Sequence, residues 1–225
     1  MCYNKLGDSM KYDSKTYEIN YNECDKEYID NLIGYYNKEK DNIFKFFDLN
    51  NLSKKLIINI YDDINKYTEY RNNNISDTSI GNMDFDDNNY YLNILSYKEI
   101  IKRKGHTNDT ITYMYKTIIH ELVHICHEET GTYNNSLIWV KEGIAIVLSK
   151  QYEGLDYKIN NCSLEDLINN RRTWYINYYT LMDYALKKYG NDYIKRLVID
   201  SNFSKEETSK IYNEVVKFDK VRKIL

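Results

Sequence analysis

The chain has 225 residues, 42% hydrophobic and 15% aromatic, with 31 Lys and Arg against 34 Asp and Glu and a formal charge of -3. That length and apolar content exclude a disordered chain, and the interspersed charges leave neither a basic stripe for nucleic acid nor a polybasic membrane anchor. No run of residues is long enough to span a bilayer, and the polar start Met1-Cys2-Tyr3-Asn4-Lys5-Leu6-Gly7-Asp8 has no apolar signal region, so with Met1 as the natural start a cytoplasmic protein is expected.

Residues 1–22 are polar and rich in Tyr and Asn, a composition that by itself assigns no element. From Cys24 to about Asp48, Tyr28, Ile29, Leu32, Ile33, Tyr35 and Tyr36 recur at helical spacing, with Ile43, Phe44, Phe46 and Phe47 as a further apolar turn. These residues predict a helical N-terminal extension, 1–50, packed on a main domain of 51–225, or a single domain over 1–225. Lys55-Leu56-Ile57-Ile58-Asn59-Ile60-Tyr61 is a β-rich run and predicts a strand. Asp62 or Asp63 caps a short helix to about Tyr70, and Asn72-Asn73-Asn74 marks a loop. Two strands, 79–85 and 90–95, flank Asp86-Asp87-Asn88-Asn89, an acidic hairpin turn without the spacing of an EF-hand.

Next comes His120-Glu121-Leu122-Val123-His124. On a helix the two His stand at i and i+4, one turn apart on one face, where both reach a single metal ion. Glu121 points about 100° round the helix and reaches water at the metal rather than the metal itself. Thr107, Asn108 and Asp109 are N-cap candidates. Ile111, Met114, Tyr115, Ile118, Leu122, Ile125 and Cys126 form an apolar stripe that leaves His120 and His124 on a separate face, as in a cleft wall. His127 lies about 10 Å along the axis from His120, too far to share a zinc with both other His. The extended metzincin pattern is absent, because Glu128-Glu129-Thr130 follows His127. Glu142 is the remaining strong candidate for a third ligand, on an apolar helix over 137–148 that follows a turn at 131–135.

Further on, Ser163 and Asp166 (at N3) cap a helix to about Asn169. Helices over 174–189, 192–199 and 204 to about 223 follow, the last opened by Ser204-Lys205-Glu206-Glu207 as a capping box. A mixed sheet followed by helices is an α+β arrangement. Trp139 is expected to pack, Lys141 to be solvated, and His106 to lie at the surface. The Arg171-Arg172 pair suits a solvated loop or a substrate-facing edge. Cys2, Cys24, Cys126 and Cys162 show no CxxC spacing, so reduced thiols are expected, with Cys126 a core residue.

HELVH followed by Trp139-Val140-Lys141-Glu142-Gly143-Ile144-Ala145 resembles the gluzincin zinc metallopeptidases, in particular the small peptidase MA-like group, over about 54–190. The resemblance implies a zincin-like fold: a small N-terminal mixed sheet with the active-site helix, then a mainly helical half. It implies one Zn2+ per chain on His120, His124 and Glu142, with Glu121 as general base. The stretch 175–190, ending Tyr189-Gly190, is similar to the family helix that opens with a catalytic Tyr, which implies Tyr175, with Tyr178 as the alternate. The implied activity is hydrolysis of peptide bonds in a peptide or protein substrate. In such folds the strand before the zinc helix is the edge that pairs with substrate; 90–95 is that edge or an ordinary interior strand. Glu128, Asp183 and Glu165 are the candidates for a carboxylate orienting a ligand His. The competing readings are a catalytically inactive zincin-like binding or regulatory protein with a structural zinc, and an intracellular regulatory protease. An intact Glu121 argues against the first, and the lack of a DNA-binding domain against the second.

Overall fold

The computed structural model describes residues 9–72, 76 and 78–222. Cys2, Asn73, Asn74 and the expected end at residue 223 lie outside the described residues. The fold is mixed α and β, with two compact units: Met1–Lys45 with Leu49–Ile125, and Phe46–Asp48 with Cys126–Leu225.

The first unit holds a five-stranded sheet, β1 (Ser9–Asp13), β2 (Tyr17–Asn22), β3 (Lys55–Tyr61), β4 (Gly81–Phe85) and β5 (Asn89–Leu95), in the order β1-β2-β3-β5-β4. The three central strands β2, β3 and β5 run parallel, and the outer strands β1 and β4 pair antiparallel with their neighbours. The predicted strand at 55–61 and the hairpin around 86–89 are present, and Asp86 Oδ1 closes that turn by accepting from the amides of Asn88 and Asn89. β1 and β2 fall in the segment that composition left unassigned: Tyr17, Ile19 and Tyr21 alternate with Glu18 and Asn20, a period of two masked by the polar composition. β5 is an interior strand, and β4 is the edge.

The two faces of the sheet differ in chemistry. On one face Ile19, Leu56, Ile58, Ile60, Leu92 and Ile94 are all buried, forming the core. Across the other runs an in-register ladder in which the Asn20 amide donates to Asn59 at 3.0 Å and the Asn59 amide to Asn93 at 2.9 Å. Such side-chain amide pairs fix register, since a slip of one residue would turn every Asn into the core. Helix α1 (Lys26–Phe46) joins the two expected apolar stretches in one element, and its Tyr36 ring lies 4.6 Å from that of Tyr17 on β2. The short helix α2 (Ile64–Tyr70) is capped by Asp63, which accepts from the Asn65 amide. A single turn, α3 (Tyr97–Ile100), leads toward the long helix α4 (Ile111–Glu129).

The second unit is helical: α5 (Ile138–Ser149), α6 (Leu164–Ile168), α7 (Tyr175–Tyr189), α8 (Asn191–Ile199) and α9 (Ser201–Arg222). Ser163 and Asp166 form the expected capping box of α6. α9 starts three residues before the expected Ser204 box. Asp200 accepts from the Asn202 and Phe203 amides there, while Ser204 Oγ donates to Ser201 O inside the first turn. Trp139 packs, as expected: it is buried, and its Nε1 donates to Thr208 Oγ1 at 3.1 Å, tying α5 to α9.

α5 and α7 meet at Gly143. A Cβ there would lie 2.9 Å from Met182 Cβ and 3.0 Å from Tyr178 O, both rigid parts of α7. A side chain at this point cannot be absorbed by a rotamer change, so the helices would have to separate. Gly143→Ala is expected to cost about 1–3 kcal/mol. Calorimetry should show Tm falling about 2–4 °C per kcal/mol; an unchanged Tm would contradict so close a packing of the two helices.

Candidate metal centre

α4 is more deeply buried than its sequence suggested. Instead of one packed face and one open face, every residue from Thr117 to His127 is buried, because Ile119 and Val123 extend the apolar surface beyond the stripe at Ile118, Leu122 and Cys126. His120, Glu121 and His124 keep only 6%, 9% and 4% of their surface exposed. In the loop before α4 the Asp109 carboxylate lies 2.6 Å from His106 Nδ1, and His106 Nε2 lies 3.0 Å from Thr78 O. His106 is therefore held in the loop on both sides rather than loose at the surface.

Helical spacing brings His120 and His124 together with their Nε2 atoms 3.0 Å apart and their rings nearly perpendicular, at 86°. A carboxylate oxygen of Glu142 joins them: the three donor atoms all lie within 4.8 Å of one another. Among the described residues this is a group of side chains able to hold a metal ion. Two nitrogens on a tetrahedral zinc at about 2.0–2.1 Å stand about 3.3 Å apart, so the imidazole pair needs to shift by only a few tenths of an ångström. Two imidazole nitrogens and one carboxylate oxygen are also the donor types that zinc takes with a position left for water. The residues fit the ion.

The surroundings of each member follow from packing. Gly81, the first residue of β4, would place a Cβ 3.3 Å from Thr117 Cγ2 and 3.8 Å from Glu121 Cγ, so the edge strand runs directly beside Glu121. The Glu121 charge reaches the Tyr67 phenol, whose pKa is raised first by burial and then by that carboxylate. Glu142 is half-buried on α5. Beside it, burial lowers the pKa of the Lys141 ammonium, which sits 4.5 Å above the Tyr133 ring rather than in open solvent.

Tyr175 opens α7 and is 43% exposed; Tyr178, one turn on, is 2% exposed, and their rings meet edge to face at 5.9 Å. The Tyr178 hydroxyl accepts from the Thr173 amide at 2.7 Å. Burial raises the pKa of this phenol, hydrogen bonding from Thr173 opposes the shift, and the Glu142 carboxylate adds to it. The remaining His and Cys on α4 serve the core. His127 Nε2 lies 3.1 Å from Val198 O and 3.2 Å from Ser136 Oγ, under the Phe47 ring, and burial pushes the Cys126 thiol up. Of the carboxylates considered for orienting a ligand His, Asp183 is engaged by Tyr157 (2.6 Å) and Lys187 (2.7 Å), and Glu165 lies 3.6 Å from Arg171. Sequence reasoning did not foresee the Tyr133 ring beneath the Lys141 ammonium, since the segment between α4 and α5 carries no apolar period.

The chain matches no family model, no curated protein and no solved structure. No helix among the described residues is long and apolar enough to cross a membrane.

Replacing Glu142 with Ala removes one of three donors. Zinc affinity, measured by competition with a chromophoric chelator, should fall by more than the roughly 10- to 100-fold that follows loss of an outer-shell partner. The wild-type chain should gain thermal stability on adding zinc, in proportion to the logarithm of its concentration. Undiminished affinity in the Ala variant would remove Glu142 from the ligand set.

Proposed function

We propose that the chain is a zinc-dependent metallopeptidase of the gluzincin type, hydrolysing peptide bonds in a peptide or protein substrate. The observation that carries this reading is the meeting of the His120, His124 and Glu142 donor atoms, with Glu121 on the same helix turn as the two imidazoles. These three residues would hold one Zn2+ per chain. A zinc ion with three protein ligands supplies Lewis acidity, polarising a carbonyl and lowering the pKa of water toward about 7.

The chain's own residues supply the rest. Glu121 accepts the proton of the attacking water and returns it to the leaving amine, as the general base and then the acid of the reaction. Its burial favours that role, because a carboxylate held away from bulk water exchanges protons with the substrate instead. Tyr175, with Tyr178 as the alternate, donates a hydrogen bond to the oxyanion that forms from the scissile carbonyl. β4 ends the strand order beside Glu121, and its outer side holds an extended peptide by strand addition.

Two sets of variants test the assignment. Glu121→Gln keeps the size and hydrogen bonding of the side chain but removes the base, so cleavage of a broad peptide library should drop by about 10²–10⁴ with zinc content unchanged. A Gln variant as active as the wild type would end the general-base role. No cleavage by the wild-type zinc protein would instead favour a binding module with a structural zinc. Tyr175→Phe should lower kcat by about 10²–10³ with little change in KM. If Tyr178→Phe has that effect and Tyr175→Phe has none, the oxyanion donor is Tyr178.

A further inference from the structure

Residues 169–174, between α6 and α7, form a strap fixed to both neighbouring helix starts. The Asn170 side chain accepts from the Ile138 amide at the first turn of α5. The Thr173 amide donates to the Tyr178 hydroxyl at 2.7 Å, and the Asn177 amide donates to Thr173 Oγ1 at 3.1 Å. The strap therefore lies one helical turn from Glu142 along α5 and against the Tyr178 phenol.

Its two arginines are treated differently. Arg171 is compensated, with its guanidinium 3.4 Å from Asp166 and 3.6 Å from Glu165. Arg172 is exposed and forms no ion pair among the described residues. Its charge reaches the Tyr178 phenol and the Lys141 ammonium, the neighbour of Glu142. Beside it Trp174 is 63% and Tyr175 43% exposed, an unusual degree for rings of that size. A guanidinium on a fixed backbone with no carboxylate of its own is suited to bidentate binding of an incoming one. Exposed aromatic rings next to it supply apolar contact at small entropic cost.

We propose that Arg172 is a specificity-determining residue that reads a carboxylate on the substrate, with Trp174 and Tyr175 contacting the apolar atoms beside it. The carboxylate is an Asp or Glu side chain or the C-terminus of the peptide; both present the same planar pair of oxygens. The identity of the ligand as a peptide rests on the peptidase reading, but recognition does not require cleavage.

The test is equilibrium binding by the full-length, zinc-loaded Glu121→Gln protein, read as anisotropy of peptide pools carrying an uncharged fluorophore. The pools are acidic, neutral and basic, each with a free or an amidated C-terminus. The acidic or the free-carboxylate pools should bind roughly fivefold tighter than the neutral amidated pool, the upper end for an exposed ion pair. Adding Arg172→Ala should abolish that preference without weakening neutral peptides, Arg172→Lys should restore part of it, and Arg171→Ala should leave it intact. Dependence on side chains or on the terminus identifies the source of the carboxylate. Equal affinity for all pools, no measurable binding of the acidic ones, or a preference that survives Arg172→Ala overturns the proposal. Cleavage by the wild-type protein is scored separately: an Arg172-dependent preference without cleavage would sustain this inference and reject the peptidase reading, and cleavage without the preference would do the reverse.

Discussion

Burial on every side is the constraint under which α4 operates. Between Thr117 and His127 the helix places three imidazoles, a carboxylate and a hydroxyl in the interior, where a polar group without a partner costs several kcal/mol. Thr117 returns its hydroxyl to Tyr113 O at 3.0 Å, and His127 is placed against Val198 O and Ser136. His120 and His124 instead face each other at 3.0 Å through their Nε2 atoms. Two nitrogens at that distance share at most one hydrogen, so at least one offers a lone pair inward, the form a metal ion requires. A Glu142 carboxylate oxygen joins the same group of donor atoms, and its negative charge would offset that of a divalent cation held there.

Two glycines set how closely backbone approaches this chemistry. Gly81 lets the edge strand lie against Thr117 and Glu121, and Gly143, next to Glu142, lets α5 lie against Tyr178 and Met182. At Gly143 a methyl group would meet atoms of α7 that have little freedom to move, and at Gly81 it would press on the Thr117 methyl at 3.3 Å. The positions of Glu121 and Glu142 are thus consequences of packing several residues long, not of the side chains alone. A polar ladder of Asn20, Asn59 and Asn93 does comparable work on the sheet, holding the register that brings β4 to its place.

Much of this was legible in the sequence wherever a strong period or a motif with fixed spacing existed. The β3 run, the 86–89 hairpin, the long α4 and α5 helices and the Ser163 cap all combine local propensity with an apolar repeat. The HELVH spacing implied that His120 and His124 could meet, because i and i+4 stand one turn apart on the same face of a helix. What escaped was non-local. The strands at 9–13 and 17–22 read as polar, since Tyr and Asn dominate them, and only pairing with β3 reveals their alternation. α9 starts at Ser201 rather than Ser204, with Asp200 accepting from the Asn202 and Phe203 amides, a cap that the Ser204-Lys205-Glu206-Glu207 pattern drew attention away from. The all-round burial of α4 could not be inferred from its stripe, since Ile119 and Val123 needed partners supplied by distant segments.

Crystals of the zinc-loaded protein measured on both sides of the zinc absorption edge provide the most direct measurement. The account predicts a single anomalous peak within about 2.0–2.2 Å of His120 Nε2, His124 Nε2 and one Glu142 carboxylate oxygen, with no fourth protein ligand. No peak at the three side chains, or a peak closed off by a fourth protein atom, would contradict it.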